Sequence, residues 1–235
     1  MADPRSLTSV VLVTGTGTEI GKTVTTAALA AVVRARGSSV AVVKPAQTGL
    51  LPGEPGDVDE VRRLVGDDVA THELVRLRDP LSPEAAARRE GVTLPTVAQH
   101  AKRVGEIAGD CEVVFVEGAG GLLVRLDARG GTLADLGAGL RYKGIGCGVV
   151  LVASAGLGTL NTAALTAEAL AARGLPLLGV VIGSWPGAPG LAEESNVEDL
   201  PRVTGAPLWG RIPEGAGRMP RADFLAAVPE WFSLD

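Results

Sequence analysis

A run of consecutive apolar residues, Val10–Val13, breaks into the glycine-rich stretch GTGTEIGKT (15–23), and apolar positions at helical spacing resume at Val24. The order predicted is buried strand, tight loop, then a helix opening at Lys22 and Thr23. Such a loop turns backbone N–H groups towards one point, and the helix macrodipole adds partial positive charge there. Lys22 contributes a full charge and the Thr23 hydroxyl is a ligand for Mg²⁺. The segment therefore predicts a nucleoside triphosphate site. It is not a strict GxxxxGK[ST] match: the first glycine position falls on Thr16, between Gly15 and Gly17. The plain alternative is an ordinary strand-to-helix turn with Lys22 in solvent.

The same rhythm continues along the chain. Apolar runs predict strands at Val10–Val13, Val40–Val43, Val113–Val116, Val149–Ala153, Leu177–Ile182 and Leu208–Ile212. Helices are predicted over Lys22–Arg36, Val58–Val65, Pro83–Arg89, Thr96–Ala108, Thr132–Leu140, Leu160–Arg173, Glu193–Thr204 and Arg221–Ala227. Most strands lack polar alternation, as expected when both faces are covered. The fold class predicted is α/β, a mostly parallel sheet with helices on both faces. The Pro/Gly segments LLPGEPGD (50–57) and WPGAPGL (185–191) are too short to link domains, so residues 1–235 read as a single domain.

Composition narrows the partners. Hydrophobic residues make up 46% of the 235, enough for a sizeable core, while aromatics at 3% leave that core to Val, Leu, Ile and Ala. A net charge of −5 argues against nucleic acid as a partner. The arginine pairs Arg62–Arg63 and Arg88–Arg89 read as solvated helix faces. Cys111 and Cys147 flank apolar strands and read as buried thiols, with a disulfide as the weaker alternative. The opening MADPRSLTS lacks the apolar core of a secretory leader, and no apolar run reaches the length of a membrane span. A cytoplasmic protein is expected.

In open parallel sheets, ligands bind beyond the carboxyl ends of the strands. KPAQTG (44–49) follows the second strand and places Lys44, one of four lysines, at such an end. FVEGAGGLL (115–123) ends the third run in an acid, Glu117, with glycines that let backbone approach a ligand closely. Asp57 and Asp59 stand before a helix; Asp57 with Glu60 has the spacing of a capping box, so Asp57 reads equally as a cap or as a carboxylate near a metal. Thr23, Asp57 and Glu117 are the hard oxygen donors Mg²⁺ prefers. Glu19, inside the phosphate loop, suits a cationic second substrate such as an amine. SAGLGTLNT (154–162) enters a helix, and its N–H groups near Thr159, Leu160 and Asn161 suit either an anion or a simple cap. His72 and His100 lack metal-ligand spacing and read as structural or surface residues.

GTGTEIGKT, KPAQTG, the aspartate after a Gly-rich loop, VEGAGGLL, LGTLN and GRIP (210–213) recur in an order that resembles the dethiobiotin synthetase family, over residues 10 to about 213. The resemblance implies a homodimeric P-loop NTPase-like fold. The implied reaction joins 7,8-diaminononanoate and CO₂ at the expense of ATP, closing the ureido ring and releasing ADP and phosphate. By position, the nucleotide falls to Gly17, Thr18, Glu19, Ile20, Gly21, Lys22, Thr23, Val24, Asp57 and Glu117, with Ser184, Trp185 and Pro213 around the base. Mg²⁺ falls to Thr23, Asp57 and Glu117. Thr18, Glu19, Lys22 and Lys44 are implied at the reacting groups. The diamine and its carbamate fall to Thr18, Glu19, Lys44 and Thr48. Gly118 and the Leu157, Thr159 and Asn161 loop complete the substrate site, the loop reaching the substrate carboxylate across a dimer interface. Asp57 is preferred to Asp59 for the metal because Val61 follows it at the family's spacing.

The chain departs from the family after the fifth strand, where VVIGSWPGAPG (180–190) has Ser184 and Trp185 in place of an adenine-reading asparagine. Nucleoside triphosphates other than ATP are therefore open as co-substrates. Three competing readings lack features the sequence carries or carry features it lacks. A small-molecule kinase has no use for KPAQTG and VEGAGG. A cobyrinate-type ligase carries a glutaminase domain for which there is no room. A partition-type ATPase switch has a lysine early in its phosphate loop, where this chain has Gly15, Thr16 and Gly17.

Overall fold

The structure, a computed structural model, describes residues 9–232. The stretch MADPRSLT, on which the expectation of no leader rests, lies outside the described residues. Seven strands form one parallel sheet: β1 (Val10–Gly15), β2 (Val40–Lys44), β3 (Ala70–Glu73), β4 (Val113–Gly121), β5 (Cys147–Ala153), β6 (Leu177–Trp185) and β7 (Leu208–Pro213). Their order is β3-β2-β4-β1-β5-β6-β7. Eight α-helices connect or flank them: α1 (Lys22–Ala35), α2 (Asp57–Val65), α3 (Pro83–Glu90), α4 (Val97–Asp110), α5 (Leu133–Tyr142), α6 (Thr159–Ala171), α7 (Leu191–Thr204) and α8 (Arg221–Trp231).

The unbroken apolar runs are explained by burial on both sides. In β1, Val11 and Val13 join the core under α1, α2 and α8, while Val10 and Leu12 face α4 and α5. A third cluster packs α6 and α7 on Leu151, Ala153, Val180 and Ile182. Among the described residues, no helix is long and apolar enough to cross a membrane.

Five features differ from the expectations. β3 is a short edge strand, Ala-Thr-His-Glu, paired with β2 from Ala41–Ala70 to Lys44–Glu73. Its half-exposed polar residues give no hydrophobic signal. β4 continues past Val116 through Gly121, so Glu117 lies within the strand instead of after it; beyond Val13–Glu117 the register to β1 shifts until Gly15 meets Gly121. α8 runs through Pro229 to Trp231, held by an edge-to-face contact of Phe224 and Trp231 with ring centroids 5.2 Å apart. Arg62 and Arg63 are not free solvated charges: Arg62 Nη1 lies 3.6 Å from Asp59 Oδ1 and Arg63 Nη1 donates to Met219 O at 3.1 Å, while Arg221 donates to the Arg62 and Arg63 carbonyls, tying α2 to the segment before α8 and to its first residue. Cys147 is buried, which pushes its thiol up to about 12, whereas Cys111 is only half-buried; both are free.

The phosphate loop is seated by a contact far off in sequence. A Cβ on Gly21 would lie 2.1 Å from Gly183 O, and one on Gly183 would lie 2.1 Å from Ile20 O. Gly21 also has a φ of +89°, a region other residues avoid. The loop thus rests backbone to backbone on the end of β6. Gly183→Ala is expected to lower stability by about 1–3 kcal/mol, as overpacking does, and to weaken nucleotide binding. Gly187→Ala, with open space around its Cβ, is expected to do neither. Urea unfolding and nucleotide titration of the two variants check this.

Candidate nucleotide and metal site

Lys22, Lys44, Asp57 and Glu117 come from four elements and meet at the carboxyl edge of the sheet. They line a cleft of about 730 Å³ together with Thr18, Glu19, Gly21, Thr23, Val24 and Thr48. On its far wall are Pro80–Pro83 and Val124.

The phosphate loop supplies the first wall. Lys22 folds back over it, Nζ donating to Gly17 O at 2.8 Å. Burial pulls the Lys22 ammonium below the ordinary lysine range. Glu19 sits at a φ of 57°, the one non-glycine among the described residues with positive φ. It and Thr18 are exposed at the mouth of the cleft.

Below the loop lies a charge cluster. Lys44 Nζ contacts Glu117 Oε1 at 2.9 Å and Gly118 O at 3.2 Å, and pairs with Asp57 Oδ2. Glu117 also accepts from Thr23 Oγ1 at 3.0 Å and Thr26 Oγ1 at 2.9 Å. Burial alone would lower Lys44, but Glu117 and Asp57 outweigh it and the net shift is upward. Burial drives Glu117 up against the pull of Lys44. Burial also opposes the Asp57 charge, yet Lys44 overrides it and holds that carboxyl below the usual range.

The oxygens of Thr23, Asp57 and Glu117 gather at this one point, and all three are hard donors suited to Mg²⁺. Among the described residues no three His, Cys, Asp or Glu side chains form a metal cluster. Two carboxylates and a hydroxyl match an ion whose remaining ligands are phosphate and water.

The two aspartates separate cleanly. α2 is preceded by Gly56, to whose N–H Asp59 Oδ2 is bonded at 2.8 Å, so the capping role falls to Asp59. Asp57 is the first helical residue and turns to Lys44. Its suggested box with Glu60 does not form; Glu60 pairs with Arg63.

Other expected residues lie elsewhere. Gly118 is buried and offers its carbonyl to Lys44. Leu157, Thr159 and Asn161 do not line this cleft. Leu157 and Asn161 are exposed at the start of α6, and Thr159 is buried with its hydroxyl unpartnered. Ser184 is exposed, and Trp185 stands opposite Pro213 in the β6–β7 register, lining a separate groove with Arg211. The Arg211 guanidinium lies 4.9 Å from the Trp185 ring centroid. Sequence reasoning missed Thr26, although its three-residue offset from Thr23 puts both hydroxyls on one helix face. It also left Gln47 without a role.

Strand, glycine loop and Lys-Thr helix start, with carboxylates at the neighbouring strand and helix, define a P-loop nucleoside triphosphatase. A family described as an AAA domain matches residues 9–220. The ATP-dependent dethiobiotin synthetase BioD of Streptomyces coelicolor is 54% identical over 95% of this chain and 92% of its own. That of Saccharopolyspora erythraea is 56% identical over 91% of each. The chain belongs to the dethiobiotin synthetase family. Among solved structures, the septum site-determining protein MinD complexed with Mg-ADP from Pyrococcus horikoshii shares the fold, with a TM-score of 0.60 and 16% identity over 93% of this chain and 89% of that one.

The charge cluster carries a stability prediction. Removing one partner of a buried ion pair leaves the other charge uncompensated and costs about 3–5 kcal/mol. Lys44→Met is expected to destabilise in that range. Adding Glu117→Gln, which takes away the stranded charge, is expected to recover part of the loss. Denaturant unfolding of the two single variants and the double variant reads the coupling directly.

Proposed function

We propose that this chain, acting as one domain, is a Mg²⁺- and ATP-dependent cyclo-ligase. It forms dethiobiotin from 7,8-diaminononanoate and CO₂, with release of ADP and phosphate. The observation that carries the reading is the junction of Lys22, Lys44, Asp57 and Glu117 in one cleft beneath the phosphate loop.

One amine of the substrate captures CO₂ as a carbamate. The carbamate oxygen attacks the γ-phosphorus of ATP and ADP leaves, giving a carbamic–phosphoric anhydride. The second amine then attacks the carbonyl carbon and phosphate departs as the ring closes. Negative charge accompanies each stage, so positioning and electrostatic stabilisation suffice and no protein nucleophile is needed. Lys22 and the loop N–H groups hold the phosphates. Lys44 sets a cation beside the carbamate oxygen and the transferring phosphoryl group. Thr18, Glu19 and Thr48 face the diamine. Thr23, Asp57 and Glu117 would hold Mg²⁺, which when bound neutralises phosphate charge.

The finer assignments rest on supporting features. Leu157 is 90% exposed and Leu191 86% exposed. They precede α6 and open α7, two helices that pack together. Apolar side chains left in water there support a homodimer that places Leu157, Thr159 and Asn161 at the partner's substrate carboxylate. Active enzyme sedimenting as a monomer would count against it. A biosynthetic role is consistent with a cytoplasmic location.

Purified protein with the diamine, bicarbonate and MgATP is expected to yield dethiobiotin by mass spectrometry, with phosphate release requiring both diamine and CO₂. Equal hydrolysis without the diamine would favour a nucleotide switch. Lys44→Gln is expected to lose roughly 10²–10³ in rate, the usual cost of one preorganised electrostatic contact.

The base is a second test. Ser184 has a single short hydroxyl, where a side-chain amide pairs both edges of adenine. Trp185 stacks without discriminating between bases, and the Arg211 guanidinium already lies over its ring. CTP, GTP and UTP are expected to support turnover within about tenfold of ATP, or ~1.4 kcal/mol. Specificity constants for the four triphosphates decide it. A strong preference for ATP would move base reading to the backbone of Gly183–Gly187 or the segment after Pro213.

A further inference from the structure

The N-cap residue of α2 offers no side-chain acceptor; Asp59 reaches back only to its N–H. That residue is Gly56, and a Cβ there would lie 2.8 Å from Glu73 Oε2 and 3.1 Å from Gln47 Oε1. A side chain at this position would have to displace the ends of Glu73, Arg76 and Gln47. The N–H groups of a first helical turn still need acceptors. The one that belongs to Asp57 is satisfied from ten residues upstream: it donates to Gln47 Oε1 at 3.0 Å.

Gln47 is built as a fixed strut. It is only 7% exposed. Its own N–H donates to Val75 O at 2.8 Å, and its carbonyl accepts from Leu77 N at 2.8 Å. Its side-chain Nε2 donates to Thr48 O at 3.2 Å. The backbone of Gln47 is thereby held by the segment after β3, and its amide lies between Thr48 O and the Asp57 N–H. Arg76 secures the other side. Paired with Glu73 at 2.6 Å, it donates to Leu51 O at 3.0 Å and to Glu54 O, clamping the Pro/Gly loop that leads into Asp57.

We propose that Gln47 is the positioning residue for the metal-site carboxylate of Asp57, acting as a long-range helix cap in place of the side chain that Gly56 lacks. It lines the same cleft, but its side-chain contacts are to main chain, the Asp57 N–H and Thr48 O. It fixes the backbone of Asp57 so that the carboxylate points into the cluster of Lys44, Thr23 and Glu117. The inference rests on the reading of Asp57 as a Mg²⁺ carboxylate, and its test separates the two.

Mn²⁺ serves as the probe, titrated by electron paramagnetic resonance into full-length protein saturated with ADP. ADP affinity in EDTA, thermal unfolding and the KM for the diamine are measured alongside. Gln47→Leu is expected to weaken Mn²⁺ binding by roughly 10–100-fold, the usual cost of losing a partner that orients a ligand. ADP affinity without metal stays at the wild-type value. Gln47→Glu keeps an oxygen acceptor for the Asp57 N–H and is expected to recover most of the Mn²⁺ affinity; Gln47→Met takes the place of Gln47→Leu if the latter does not fold. Wild-type Mn²⁺ affinity in Asp57→Asn would overturn the assignment of the carboxylate itself. Weakened binding in Asp57→Asn beside wild-type binding in Gln47→Leu overturns the positioning role alone. So does a Gln47→Leu protein in which only the diamine KM rises, or in which metal-free ADP binding falls as far as Mn²⁺ binding.

Discussion

A single ammonium group, that of Lys44, holds together two carboxylates that would otherwise repel each other inside the protein. Glu117 is buried and Asp57 half-buried, and neither has another lysine or arginine within salt-bridge distance among the described residues. A buried carboxylate without a counter-charge costs several kcal/mol. The order of the sheet satisfies this demand, because β2 lies directly beside β4 and brings Lys44 to the flank of Glu117. α2 then supplies Asp57 from above. The same arrangement serves the chemistry, since a site for a triphosphate and a carbamate needs fixed cations beside fixed oxygen donors.

The rest of the fold serves to keep that edge still. Alternate residues of β1 are committed to cores on opposite faces, so the strand has no freedom to twist out of register and carries the phosphate loop rigidly. The loop is braced from its other side where Gly21 and Gly183 touch. Asp59, Gln47 and Arg76 do comparable work for α2, converting a Pro/Gly connection into a defined approach. Main-chain hydrogen bonds and close backbone contact fix the cleft as well as its charged side chains do.

Much of this was legible in the sequence because it is local. The phosphate loop, Lys44 and Glu117 each follow an uninterrupted apolar run, and a strand buried on both faces announces itself in that way. β3 escaped because Thr71, His72 and Glu73 carry no such run. The extension of β4 through Gly118, Gly120 and Gly121 escaped because glycines read as loop. Asp57 was preferred to Asp59 only through the family's spacing to Val61, since both have helix-start spacing; in the fold Gln47 and Lys44 lie beside Asp57, and Asp59 bonds the Gly56 N–H. The Gly21–Gly183 contact spans more than half the chain and leaves no trace in either segment. Thr26 alone was recoverable, from its offset to Thr23.

The strand order also bears on how the molecule is assembled during synthesis. β1 is made first, yet its two hydrogen-bonded neighbours are β4 and β5, which begin at Val113 and Cys147. β2 meets β3 early, but its other edge also waits for β4. A nascent chain that has emerged only as far as α4 therefore exposes the unpaired edges of its most apolar strands. When β4 arrives it inserts between β2 and β1, closing both ladders and delivering Glu117 to Lys44 in the same event. Glu117 thus meets Lys44 before the sheet is finished, and β5, β6 and β7 extend it afterwards, β6 bringing Gly183 under the phosphate loop.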